Sequence, residues 1–150
     1  MRKIMMTLLL PLFLFSGCVT TPREAANRVD NAKIMAADAN AQLMYQNAVN
    51  YSSSCQVNSV TLKAGRYCGS LDKGAGTVNF TGDAADLETA QNTYTNGMTR
   101  GYYCVMIGEG GKPTVAYWSD TVDLSSAQLP AANEELKQEP DKIIGRYVGN

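Results

Sequence analysis

The sequence predicts an α+β fold, in which a long N-terminal helix packs on a small antiparallel sheet. Two stretches lead to this prediction: residues 22–51 favour a helix without interruption, and residues 101–119 have the pattern of a β-hairpin. A length of 150 residues suits one domain that can bury a real core.

The first seventeen residues have the three parts of a secretory signal. A basic start, Arg2-Lys3, precedes an apolar segment, residues 4–15, which leads into Ser16-Gly17-Cys18. As a helix, twelve residues reach about 18 Å, whereas a bilayer core is about 30 Å thick. A cleaved signal therefore explains the segment better than a retained membrane anchor does.

The cysteine directly after the small residues makes this segment resemble a bacterial lipoprotein signal peptide, although Phe15 stands where that family usually has Leu. The resemblance implies removal of residues 1–17 and a mature domain, 18–150, with a diacylglyceryl group and acyl chains such as palmitate on Cys18. It also implies a membrane-anchored protein of the cell envelope. Val19, rather than Asp, follows the cysteine, which favours the outer membrane. A plain cleaved signal stays open as an alternative.

The helix is expected at about residues 22–51. Thr21 can cap it, Pro22 suits its first turn, and Glu24 completes a capping box. Two neighbouring stripes could form its buried face. One consists of Val29, Ala32, Ala36, Ala39 and Leu43, and the other of Ala37, Ala41, Met44, Ala48 and Tyr51. Packing within the domain is the simpler interpretation, and oligomerisation through the first stripe is the alternative.

Ser52-Ser53-Ser54 is expected to end this helix, and residues 55–120 are expected to be mostly β with one helix. The C-terminal segment, 121–150, is more polar. Alternation, turn residues and helix signals predict strands at 56–62, 66–70 and 77–81, a helix at 84–94, hairpin strands at 101–107 and 114–119, a short helix at 133–138 and a docking segment at 143–148.

Three cysteines follow the lipidation site. Export to an oxidising compartment favours a disulfide, and Cys55 and Cys68 are the predicted pair because they bracket a short polar stretch. Cys104 would then be a buried thiol. Pairing of Cys104 with Cys68 or Cys55 is the alternative.

Composition excludes several classes of function. The chain has no histidine, which rules out a Ser-His-Asp or Cys-His hydrolase and a zinc site with a His ligand. Without Arg2 and Lys3, 11 basic residues remain against 14 acidic ones, without a basic stripe, so nucleic-acid binding is not expected. No catalytic, metal or cofactor motif is present, and the protein is predicted not to be an enzyme. An enzyme that uses carboxylates alone, such as a hydrolase, is the alternative, and it would need two acids facing each other in a cleft.

The one aromatic concentration lies in the predicted hairpin and consists of Tyr102, Tyr103, Tyr117 and Trp118. Alternation would place half of these side chains in the core. Because Tyr and Trp are common in binding hot spots, any exposed remainder is the predicted contact patch for a protein or glycan.

The order of elements, with a helix over Ala25–Tyr51 and a late hairpin around Tyr103-Cys104-Val105 and Tyr117-Trp118-Ser119, resembles the globular part of type IV pilins and pseudopilins. Pilins keep a long apolar N-terminal helix, however, whereas here that segment is expected to be removed. The sequence therefore predicts a lipid-anchored, non-enzymatic interaction or structural module of the envelope, with a membrane contact through Cys18 and a protein partner. A pilin-like accessory component of a secretion or pilus-type assembly is the alternative.

Overall fold

A computed structural model describes residues 22–139 and 141–149, and it confirms the predicted α+β fold. Two helices accompany a four-stranded sheet. In chain order the elements are α1 (Pro22–Val57), β1 (Gly65–Ser70), α2 (Ala84–Thr95), β2 (Tyr102–Ile107), a 3₁₀ turn (Glu109–Gly111), β3 (Pro113–Ser119) and β4 (Gly145–Val148).

The sheet is antiparallel throughout, with the strands in the order β1-β2-β3-β4. Because side chains alternate along a strand, each strand contributes to both faces of the sheet. One face packs on α1 and α2 and forms the larger core, which includes Met44, Tyr51, Leu87, Tyr103 and Val105.

The opposite face of the sheet is covered by the connection from β3 to β4, residues 120–144. Its apolar side chains pack on Cys104, Val115 and Tyr117, and they include Val122, Leu124, Leu129, Leu136 and Ile144. Side chains from the sheet fix this connection by donating to its carbonyl oxygens. Arg66 donates to Leu124 at 2.8 Å and to Ala127 at 3.1 Å. The domain therefore has three layers: helices, sheet and an irregular covering segment.

Helix α1 buries the second of its two predicted stripes, Ala37, Ala41, Met44, Ala48 and Tyr51. Ala32, Ala36 and Ala39 of the first stripe are exposed. The serine run does not end the helix, which continues to Val57. Ser52 is buried and donates to the carbonyl of Gly111 at 2.7 Å, and Cys55 is fully buried. Tertiary packing thus outweighs the weak preference of serine against helix, and the predicted strand at 56–62 is wrong.

Two other predicted elements are also wrong. Residues 77–81 form no strand, although Phe80 packs on Tyr51 with ring centroids 5.8 Å apart. Residues 133–138 form no helix. There the side chain of Gln138 bonds the backbone of Ile144 twice, at 2.6 and 3.1 Å. Such side-chain bonds to the backbone compete with a helical ladder.

The disulfide joins Cys68 to Cys104, so the predicted Cys55–Cys68 bridge is wrong and one of the alternatives is correct. The two residues are directly opposite in the β1–β2 register, with their Cα atoms 4.0 Å apart. Cys55 is a free cysteine of α1 whose side chain is buried in the core between the helices and the sheet, whereas Cys68 packs on the other face of the sheet. The sheet itself separates the pair that the sequence spacing suggested.

Candidate functional site

The four aromatic residues of the hairpin do not form an exposed patch, so that prediction requires correction. Tyr103 and Trp118 are cross-strand partners on the face toward α1, while Tyr102 and Tyr117 pack on the opposite face. Tyr103 and Tyr117 are fully buried, and desolvation raises the pKa of both phenols. Strand alternation, combined with cover on both faces, accounts for their burial.

Trp118, the single tryptophan of the chain, lines a groove and is the centre of the candidate site. The groove has a volume of about 400 Å³ and lies between α1, the end of β3 and the segment before β4. This volume is within the range of small-molecule sites. The groove is lined by Lys33, Ala36, Ala37, Trp118, Asp120, Thr121, Asp141 and Ile143.

The groove combines an apolar lining with charges that no described residue pairs. Among the described residues, Lys33, Asp120 and Asp141 form no ion pair, and no side-chain hydrogen bond is found for them. All three side chains are exposed, whereas Trp118 is only 9% exposed and Ala37 is buried. The groove therefore offers a ligand two carboxylates, one ammonium and an apolar surface.

The indole of Trp118 carries an unusual feature. Its Nε1 atom is buried and has no hydrogen-bond partner among the described residues. A buried donor without an acceptor costs about 1–3 kcal/mol, and such groups are uncommon enough in folded proteins to need an explanation. The unpaired donor therefore belongs to a residue that also lines the groove.

Ser119 organises the wall of the groove that carries Asp120. Its buried hydroxyl donates to the carbonyl of Ile143 at 2.8 Å and accepts from the backbone N–H groups of Thr121 and Val122 at 3.4 and 3.2 Å. These bonds turn the chain at the end of β3 and hold it against the segment that carries Asp141.

The opposite wall of the groove is fixed by the approach of β4 to α1. An added Cβ at Gly145 would lie 2.0 Å from the carbonyl carbon and oxygen of Ala37 and 2.5 Å from the nitrogen of Asp38. In addition, Asp38 accepts a hydrogen bond from the backbone N–H of Arg146 at 2.8 Å. This seam sets the distance between Lys33 on the helix and the strand-side residues.

A second depression, of about 1040 Å³, follows the β3–β4 connection. Its lining includes exposed charges of both signs, such as Arg66, Glu134 and Lys142. Arg66 there already bonds the backbone, so this depression offers a less defined site than the Trp118 groove.

Cys55 does not have the surroundings of a reactive thiol. It is fully buried, and desolvation raises its pKa despite a hydrogen bond with Tyr51. A reactive cysteine needs the opposite shift and access to solvent. Within residues 22–139 and 141–149, no group of three or more His, Cys, Asp or Glu side chains is arranged to hold a metal ion.

The predicted lipidation site, Cys18, lies outside the described residues. None of the helices in the described part is long and apolar enough to cross a membrane. The chain matches no protein-family model, and comparisons with curated proteins and with solved structures also found no match.

The sequence-based prediction included Trp118 in a contact patch but did not include Lys33, Asp120 or Asp141, which line the same groove. Asp120 follows a predicted strand end, a position where binding residues often lie. No sequence signal connects it with Lys33 or Asp141, because only the β3–β4 connection and the α1–β4 seam bring the three to one groove.

Proposed function

We propose that this protein is a lipid-anchored bacterial lipoprotein that acts as a non-enzymatic interaction module of the cell envelope. In this proposal the chain is processed before Cys18, and acyl chains on that cysteine hold it on the membrane. Two or more acyl chains give stable anchoring where one does not. The sequence features of residues 1–18 support the anchor, and the shape of α1 supports the role as a module.

The observation that carries the proposal is the length of α1 beyond its packed region. The helix begins at Pro22, four residues after Cys18, and its 36 residues span about 54 Å. No described side chain from Arg28 to Ala36 is buried, and burial begins at Ala37. Residues 28–36 thus provide a spacer of about 13 Å, which suits a domain presented at a distance from a membrane surface.

The groove favours binding over hydrolysis. A carboxylate-only hydrolase would use Asp120 and Asp141, the two acids that line the groove. Both side chains are exposed, whereas catalysis by a pair of carboxyl groups relies on a site that excludes water and separates their pKa values. Exposed carboxylates beside an apolar surface are better suited to holding a partner's charged group.

One observation favours the pilin-like alternative, an accessory component of a secretion or pilus-type assembly. That hypothesis requires a helix laid across a four-stranded antiparallel sheet, and α1 packs on three strands of such a sheet, β2, β3 and β4. The chain also has α2 between β1 and β2, the helix predicted at 84–94, and this element is not among those that carry the resemblance. Stable copurification of the protein with an envelope assembly would favour this alternative, and purification of the protein without other proteins would count against the alternative.

The anchor is tested by intact mass and membrane fractionation in a bacterial host. We expect the wild-type chain in the outer-membrane fraction, with a mass that begins at Cys18 and includes acyl groups. Cys18→Ser should lose both the acyl mass and the processing. Cys55→Ser is the matched control, because it removes a cysteine from the folded domain and should leave lipidation intact. A wild-type chain that carries no acyl group would refute the proposal.

The role as an interaction module is tested by photo-crosslinking in cells. A crosslinking residue at Met35, which is 73% exposed beside the groove-lining residue Ala36, should give a discrete adduct with an envelope protein. The same residue at Asn79, which is exposed and does not line the groove, is the control. Equal adduct patterns at both positions would contradict a specific partner.

A further inference from the structure

We propose that the Trp118 groove binds a lysine or arginine side chain of a peptide segment. In this arrangement Asp120 and Asp141 hold the cationic group, and the aliphatic stem lies on Trp118 and Ile143. The identification of the peptide as part of a protein partner rests on the proposed function. Recognition of a cationic side chain rests on the groove alone.

The charges of the groove select a cation. Two carboxylates and one ammonium give it a net negative charge, and none of the three is neutralised by another described residue. A cation near a tryptophan ring gains a further attraction to the π-system. An anionic ligand would have Lys33 alone as its charged partner and would face both aspartates.

The apolar lining selects a long stem. Ala36, Ala37, Trp118 and Ile143 form the apolar part of the groove, beside the polar Thr121. Lys and Arg cover apolar surfaces with three or four methylenes while the charged head stays hydrated. An ethanolamine headgroup of a lipid has the cation without this stem. Lys33 can then accommodate a carboxylate or carbonyl of the same peptide, which gives the bound segment a direction.

The test uses the single tryptophan as a reporter of the groove. The full chain is purified in detergent from membranes, and the Trp118 indole N–H resonance and Trp118 fluorescence are followed during titration with acetyl-Gly-Lys-Gly-amide. We expect a saturable change that weakens at high salt, since exposed charge pairs are screened. The norleucine peptide, which has the apolar stem without the ammonium, should bind roughly tenfold more weakly.

Variants separate a local contact from the overall charge. Asp120→Asn and Asp141→Asn should each weaken binding roughly threefold. Glu109→Gln is the matched control, because it removes the same charge from the exposed turn between β2 and β3 and should leave binding unchanged.

Several results would overturn the inference. These are no saturable change, equal binding of the lysine and norleucine peptides, equal loss in the Glu109→Gln control, or stronger binding of phosphoethanolamine than of the peptide. The last result would make the groove a lipid-headgroup site. Because the titration uses only the purified chain and a peptide, its failure leaves the lipid anchor untouched, and loss of the anchor leaves the titration interpretable.

Discussion

Replacement of Gly145 by alanine should be strongly destabilising, because this residue lies where β4 meets the backbone of α1. The added Cβ would be 2.0 Å from the carbonyl carbon and oxygen of Ala37 and 2.5 Å from the nitrogen of Asp38. All three atoms are backbone atoms of a packed helix, so no side-chain rotation relieves the overlap. Carbon atoms in ordinary contact lie about 3.5–4.0 Å apart. The helix and the strand would therefore have to separate by about 1.5 Å or more to relieve the 2.0 Å approach.

The expected cost of this substitution is at the upper end of the range for overpacking, about 3 kcal/mol. For a domain of this size, that corresponds to a decrease in Tm of about 10 °C. The loss should be accompanied by weaker peptide binding in the Trp118 groove, because the same seam holds the groove's helix wall at its distance from the strand wall.

Thermal and denaturant unfolding, followed by the fluorescence of Trp118, measures this cost. Gly74→Ala is the matched control, since nothing lies within 4 Å of an added Cβ there and its φ is not positive. The control should be neutral or slightly more stable, because alanine restricts the unfolded chain by about 0.4–1 kcal/mol. A Gly145→Ala variant within 0.5 kcal/mol of wild type would refute the close packing of α1 on β4.

Three further predictions concern the disulfide, the buried tyrosine and the covering segment. The double substitution Cys68→Ala and Cys104→Ala should lower the free energy of unfolding by about 4 kcal/mol in the chain-entropy model, given a separation of 36 residues. Alkylation in denaturant without reduction should label Cys55 but neither Cys68 nor Cys104, and labelling of all three would contradict the bridge. Burial raises the pKa of Tyr103 far above its usual range. The neutral phenol's contribution to folding stability is therefore complete below the unfolded pKa of about 10 and is lost as the pH rises above that value. Denaturant unfolding at pH 8 and pH 11 should show this loss of stability and a smaller loss in Tyr103→Phe, and an unchanged loss in that variant would assign the effect to other groups. Arg66→Ala removes two hydrogen bonds to the β3–β4 connection and should lower stability by about 1 kcal/mol. It should also speed proteolysis between residues 122 and 139, and cleavage at the wild-type rate would show that this side chain does not hold the segment.

The parts of the fold that the sequence predicted are those with strong local signals. The helical period gave two candidate stripes for the buried face of α1, and Ala41, Met44, Ala48 and Tyr51 of the second stripe are fully buried. The β2–β3 hairpin was predicted from its apolar run and its glycine-rich turn, and its observed strands differ from the prediction by one residue at an end. In both cases the local pattern and the tertiary packing agree.

The errors arise where distant contacts decide the structure. A hydrogen bond from Ser52 to Gly111, 59 residues away, helps to keep α1 intact through a serine run that suggests a break. Similarly, the cysteine pairing follows from the β1–β2 register, which places Cys104 opposite Cys68. Neither register nor a long-range hydrogen bond is encoded in the spacing of nearby residues.

The groove shows the same limit at the level of function. Asp38 and the backbone of Arg146 are 108 positions apart, yet their hydrogen bond, together with the absence of a side chain at Gly145, aligns the helix that carries Lys33 with the segment that carries Asp141. A substitution that leaves every charged residue in place can therefore abolish the site by moving one wall. If the Gly145→Ala variant folds but no longer binds the lysine peptide, while Gly74→Ala binds normally, the placement of the charges by the seam is essential to recognition, in addition to their presence.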